Sequence, residues 1–241
     1  MTKFTVPKSA FPNTLTALNL FCGFLSIVFA DKMELGTASI FILAAAVFDS
    51  LDGIAARLVK VASRFGVELD SLADVVSFGA APSFLIYKAY FESFGWIGIV
   101  VSSLPAIFGA FRLARFNITL TNIESKGDFT GLPIPLQAVT ISFLVISFYS
   151  TAEKAISAPV SYFVFPLVIL LSLLMVSKIR YNALPKLKNK SIFERFVFFA
   201  VLAAAIALAY VTNGLVLFYF FIAIVLFGIL REIFVKLFAS N

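Results

Sequence analysis

The sequence predicts an all-α integral membrane protein, a polytopic bundle of about eight transmembrane helices, and three observations predict it. Of its 241 residues 61% are apolar and 13% charged, with a mean hydropathy of +1.02, a surplus that no water-soluble domain of this length carries. The apolar residues fall in stretches of spanning length, because about 30 Å of hydrocarbon at a rise of about 1.5 Å per residue needs about 20 of them. The 19 lysines and arginines are also partitioned. With the N-terminus in the cytoplasm, 16 of them collect on inner segments and leave only Lys32, Lys88 and Lys154 outside, which is the positive-inside pattern of an even number of spans.

The first stretch, 12–30, opens on Pro12 and Asn13. A signal peptide cleaved after Val28 and Ala30 is the alternative, but the apolar run is longer than an ordinary h-region. Spans two and three, 36–60 and 66–90, are mainly apolar but carry four aspartates near the segment that joins them. Span four, 94–116, closes on Arg112 and Arg115. Spans five to eight, 132–150, 157–177, 193–212 and 215–236, carry no mid-span acid. Two longer polar connections remain: 117–131, and 178–192 with Lys178, Arg180, Lys186, Lys188 and Lys190, which suits a surface lying on anionic lipid.

Composition excludes several chemistries. There is no histidine and a single cysteine, Cys22, so His-ligated zinc, His acid/base relays, Cys metal clusters and an intramolecular disulfide are all out. Carboxylates are the strong metal ligands left. The net charge of +6 is read as topology and attraction to headgroups, with no nucleic-acid partner.

The four acids are Asp49, Asp52, Asp70 and Asp74. A carboxylate inside a span costs about 2.5–3.5 kcal/mol on insertion scales, so four of them must face one another, water or a cation. Asp49 and Asp52 are spaced i, i+3 and Asp70 and Asp74 i, i+4, which puts each pair on one helix face. Counting the rise from each end of the spans places Asp52 and Asp70 both about 6 Å, and Asp49 and Asp74 about 10–12 Å, below the inner boundary. The two edges are therefore level, and they would repel without hard cations between them. Oxygen ligands suit Mg²⁺, Mn²⁺ or Ca²⁺, and three or four shared carboxylates suffice for two ions, the arrangement that clamps a phosphoryl group. Beside them Gly53 and Ala56 remove bulk, and Arg57 lies one turn beyond Gly53 to receive phosphate oxygens. Arg112 and Arg115 are spaced i, i+3 with Asn117 following, so that one guanidinium can hold a carboxylate. Anchoring the inner boundary is the alternative use of both arginines.

The string Asp49-x2-Asp52-Gly53-x2-Ala56-Arg57-x8-Gly66-x3-Asp70-x3-Asp74 resembles the signature of the CDP-alcohol phosphatidyltransferase family without departure. The resemblance implies a catalytic core over residues 1–180, built of six helices, with 181–241 supplying the basic loop and two C-terminal helices. It implies two divalent cations, Mg²⁺ or Mn²⁺, one held by Asp49, Asp52 and Asp70 and the other by Asp49, Asp70 and Asp74, with Asp74 also the catalytic base. It implies that Gly53, Arg57 and Ser63 contact the CDP moiety of CDP-diacylglycerol, with Ala56 and Gly66 beside them, and that Pro12, Asn13, Thr14 and Leu15 close over it. The stretches Phe11–Leu20, Val76–Pro82, Leu113–Asn117, Gly131–Pro133 and Ser177–Tyr181 resemble the members whose acceptor is L-serine, which makes Arg112, Arg115 and Asn117 candidates for binding it. Glycerol 3-phosphate or inositol phosphate is the alternative acceptor. A homodimer and a place in the plasma membrane of a bacterium or archaeon, active site cytoplasmic, are likewise implied. From other classes, a divalent-cation transporter would need acids continuing along a route, and a lipid-binding scaffold would leave the aspartates without a role.

Overall fold

The computed structural model describes residues 10–59, 64–121, 131–179, 181, 208 and 211–238. Five helices among them are long and apolar enough to cross a membrane: α1 (Ala10–Asp31), α2 (Leu35–Val59), α3 (Arg64–Ala89), α4 (Gly95–Thr121) and, near the C-terminus, α7 (Leu215–Phe238). Between them α5 (Ile134–Phe148) and α6 (Ser161–Val176) are apolar but shorter. The protein is a multi-pass, all-α membrane protein. The expected span 193–212 lies almost wholly outside the described residues.

The interior face of α1 explains the packing at this end of the chain. Its buried residues are Pro12, Thr16, Asn19, Cys22, Gly23, Ser26 and Ala30, small or polar groups recurring every three or four positions, while Phe11, Phe21 and Phe24 point outward. In lipid, where apolar surface gains little from leaving the solvent, small residues let helix backbones approach and gain dispersion energy. Gly23 shows how close: a Cβ there would stand 2.6 Å from the Cα of Ser77 on α3. Helix α1 accordingly packs along α2 and against α3.

Helix α3 changes pitch along its length. Residues Val75–Ala80 form a π-helical segment, in which the Ala81 N–H donates to the Val76 carbonyl five residues back. Pro82 follows at the start of the next α turn, and since it has no N–H to give, the regular ladder is interrupted there. In α4 the interior Pro105 has a similar consequence. The Ala106 N–H donates to Ser83 Oγ of α3 at 3.1 Å.

Two regions differ from expectation. The 117–131 connection starts later, because α4 continues to Thr121. At the end of the bundle away from the α2–α3 connection the chain between α5 and α6 forms an antiparallel hairpin, Tyr149–Ser150 with Ala155–Ile156, where the apolar pattern suggested helix to residue 150. This end is closed by aromatic packing of Tyr90, Phe91 and Phe94 against Phe165, with centroids 4.7–5.9 Å apart. Lys88 there pairs with Glu92 at 3.0 Å and Asp31 at 4.0 Å.

Candidate active site

The four aspartates come from the last turns of α2 and the first turns of α3, which are joined by a short connection and run in opposite directions, so both pairs arrive at one end of the bundle. Asp49, Asp70 and Asp74 form a group whose carboxylate oxygens lie within 4.8 Å of one another. Asp74 is buried, and Asp49 and Asp70 are half-buried. Asp52 is also buried but is not in that group. It stands within electrostatic range of the other three, and its Oδ2 accepts a hydrogen bond of 2.8 Å from Thr16 Oγ1.

Like charges this close, away from water, demand neutralisation. Among the described residues no lysine or arginine forms an ion pair with any of the four, and the buried Oδ1 of Asp70 has no hydrogen-bond partner. Converging oxygen donors, one of them left without a proton donor, fit a hard divalent cation. Asp49, Asp70 and Asp74 are the residues that would hold it, with Asp52 beside them.

Asn13 and Thr14 of α1 are among the expected site residues, but Thr16 and Asn19 are not. Asn19, fully buried, donates from Nδ2 to Asp74 Oδ1 at 3.3 Å. Its main-chain carbonyl accepts from Ser77 Oγ at 2.9 Å. A signal did exist: Pro12, Thr16, Asn19, Gly23 and Ser26 form a stripe at helical spacing with bulk excluded, which marks an interior face.

The expected CDP contacts are distributed around this cluster. Pro12 is buried, with its carbonyl 3.2 Å from Thr16 Oγ1. Asn13 and Leu15 are half-buried, while Thr14 is exposed and its hydroxyl donates to the Ala10 carbonyl. Gly53 and Ala56 are half-buried on the last turns of α2, and Gly66 stands one turn before Asp70. The Arg57 side chain and Ser63 lie outside the described residues.

The three residues expected to take the acceptor have three different neighbours. Arg112 is half-buried and feels the charge of Asp74, and its Nε is shielded from solvent without a hydrogen-bond partner. Arg115 is exposed and donates from Nη1 to the Val176 carbonyl at 3.1 Å, at the C-terminus of α6, where a cation complements the helix dipole. Asn117 and Ser71 exchange hydrogen bonds of 3.0 and 3.3 Å, which tie α4 to the turn that carries Asp70. Just beyond, Gly131 donates to the Ile179 carbonyl at 2.8 Å. At φ +88° and with a virtual Cβ 3.0 Å from the Met175 carbonyl carbon, this position has room for glycine only.

Elsewhere the described acids continue no route across the bundle: Glu153 is exposed, and Glu232 pairs with Lys236 at 3.8 Å. Glu194 lies outside the described residues.

Comparison with known proteins covers most of this region. A sequence profile of the CDP-alcohol phosphatidyltransferase family matches residues 9–174. The chain is similar to the CDP-diacylglycerol–serine O-phosphatidyltransferase of Helicobacter pylori (strain ATCC 700392 / 26695), with 41% identity over 182 residues, 76% of each chain. It is similar to the archaetidylserine synthase of Methanothermobacter thermautotrophicus, with 43% identity over 175 residues, 71% of this chain and 69% of the relative. It is also similar to the CDP-diacylglycerol–serine O-phosphatidyltransferase of Bacillus subtilis, with 35% identity over 170 residues, 70% of this chain and 88% of the relative.

Proposed function

The chain belongs to the CDP-alcohol phosphatidyltransferase family, and from that premise we propose that it transfers the phosphatidyl group of CDP-diacylglycerol to the hydroxyl of L-serine, releasing CMP. The observation that carries this reading is the convergence of Asp49, Asp70 and Asp74 within 4.8 Å, at signature positions, in a chain whose relatives are serine phosphatidyltransferases.

The chain's own residues have distinct tasks in this reaction. Asp74 takes the proton of the serine hydroxyl, that oxygen forms a bond to the phosphorus that carries diacylglycerol, and the bond to the CMP oxygen breaks. Mg²⁺ or Mn²⁺, when bound by Asp49, Asp52, Asp70 and Asp74, supplies the positive charge that the phosphate oxygens need as the bond order shifts. Gly53, Ala56 and Gly66 leave space for the nucleotide beside the carboxylates, Pro12, Asn13, Thr14 and Leu15 flank it, and Arg57 and Ser63 take its polar groups. Arg112 receives the serine carboxylate, in keeping with its shielded Nε and its position near Asp74. Arg115 and Asn117 support that end of α4 through Val176 and Ser71.

The partition of positive charge supports a plasma-membrane orientation with the N-terminus and active site on the cytoplasmic side, so that lipid enters from the inner leaflet and serine from the cytoplasm. A second copy of the chain is its proposed partner. The test is an acceptor panel: purified protein, CDP-diacylglycerol and Mn²⁺ or Mg²⁺, with serine, glycerol 3-phosphate or inositol phosphate, following CMP release. Release with serine alone is expected. Release with a phosphorylated acceptor and none with serine would overturn the assignment.

A further inference from the structure

We propose that Thr16 and Asn19 of α1 are positioning residues for this reaction, each fixing one aspartate of the cluster in a single orientation. The proposal rests on the reading above, and concerns residues that lie outside the family's aspartate signature.

Both side chains are polar groups on an apolar spanning helix, and both are almost completely withdrawn from solvent, at 4% and 0% exposure. Three residues apart, they lie on the same interior face and reach different acids: Thr16 Oγ1 donates to Asp52 Oδ2 at 2.8 Å, and Asn19 Nδ2 to Asp74 Oδ1 at 3.3 Å. A hydroxyl has one proton. Thr16 also lies 3.2 Å from the Pro12 carbonyl, and the shorter, charge-assisted bond to Asp52 is the stronger use of it. Helix α1 thus divides the carboxylates. Asp52 is drawn toward α1, outside the group of three, while Asp74 keeps Oδ1 tied to Asn19.

The attachment of Asn19 has two points. Its side chain holds Asp74, and its carbonyl accepts from Ser77, three residues further along α3. The absence of bulk at Gly23 lets the two backbones meet there. An asparagine held at its main chain and donating at its side chain cannot swing away, so the direction of Asp74 is set by α1. The amide carbonyl, Asn19 Oδ1, is buried without a partner. A side chain selected only to fill the helix interface would have no reason to leave an acceptor unsatisfied.

The experiment uses full-length protein in detergent and the variants Thr16→Val, Thr16→Ser, Asn19→Leu and Asp70→Asn. Binding of Mn²⁺ alone is read from the free-ion EPR signal, alongside kcat, both KM values and melting temperature. Loss of a partner that orients a metal-binding group lowers metal affinity or activity about 10- to 100-fold. Thr16→Val is therefore expected to weaken Mn²⁺ binding by about that factor, and Thr16→Ser, which keeps the hydroxyl, to recover it. Asn19→Leu should lower kcat by a similar factor and leave the KM for CDP-diacylglycerol near wild type. Mn²⁺ affinity and kcat within about twofold of wild type in both Thr16→Val and Asn19→Leu, whatever the melting temperatures, would make the two residues packing groups and overturn the proposal. If Asn19→Leu does not fold, the Thr16→Val and Thr16→Ser pair decides alone. If wild type and Asp70→Asn bind Mn²⁺ equally weakly, the metal reading itself fails and this proposal with it, a result distinct from losing the α1 contacts alone.

Discussion

The two ends of the helix bundle handle buried charge in opposite ways. At the end away from the aspartates Lys88, with a side chain 15% exposed, is satisfied by Glu92 and Asp31, and a ring of aromatic contacts closes the interior. At the other end Asp49, Asp70 and Asp74 converge with Asp52 beside them and no ion pair to a lysine or arginine among the described residues, and Asp70 Oδ1, Asn19 Oδ1 and Arg112 Nε are all buried without hydrogen bonds. Unsatisfied atoms on three neighbouring helices leave positions at this end that a bound group can complete.

The contrast is broken most severely at Asp74. Asp74→Asn should lower kcat by about 10²- to 10⁴-fold, the usual contribution of a positioned base, while CDP-diacylglycerol binding persists. Equal loss of both would reduce Asp74 to a ligand. The same substitution removes one of several mutually repelling, unpaired charges, so in chelator the melting temperature should rise, by the equivalent of about 0.5–2 kcal/mol. A drop would mean that the carboxylates are paired in the metal-free protein after all.

A smaller effect sharpens the division of labour within α4. A charge-assisted hydrogen bond contributes about 1.5–3 kcal/mol, so Arg112→Gln should weaken serine binding about 10- to 150-fold with CDP-diacylglycerol nearly unaffected. Arg115→Gln, which loses its bond to the Val176 carbonyl, should cost about 0.3–1 kcal/mol of stability and leave the serine term near wild type. Steady-state kinetics with each substrate varied in turn separates the two, and an unchanged serine KM in Arg112→Gln would sink the acceptor assignment.

The smallest effect belongs to the end with Lys88. Lys88→Met should leave kcat and both KM values unchanged and lower stability by no more than about 1 kcal/mol, because Glu92 and Asp31 are themselves 49% and 72% exposed and solvent screens the pairs. A loss of activity there would show that the two ends are coupled.

The helices were legible because hydropathy in a bilayer is a nearly one-dimensional signal. The expected spans 12–30, 36–60 and 215–236 lie within two residues of Ala10–Asp31, Leu35–Val59 and Leu215–Phe238 at each end. The level depth of Asp49, Asp52, Asp70 and Asp74 followed from helix rise alone, and the structure brings three of them into one group. What could not be read was how side chains pair across helices. Spacing placed Asp52 on the acid edge, but Thr16, 36 positions earlier, turns it toward α1. Arg112 and Arg115 share a face in sequence, yet they part because the C-terminus of α6 stands beside one of them. The hairpin at Tyr149–Ile156 escaped because its strands are only two residues long, Tyr149–Ser150 and Ala155–Ile156, too short to show a period-two pattern.

The π-helical segment Val75–Ala80 gives α3 a change of phase. It takes in one residue more than a turn requires, so everything beyond it is rotated by about 100° relative to an unbroken α-helix. On one side of that step Asp70 and Asp74 point at the other carboxylates, and on the other side Ser83 docks against Ala106 of α4. One rigid rod thus satisfies two neighbours that stand at incompatible bearings. The aim of the aspartates is therefore stored partly as a residue count. Shortening the chain by one position between Val75 and Ala80 would delete no catalytic group, yet it would force a choice between seating α3 on α4 and pointing its acids at the substrate.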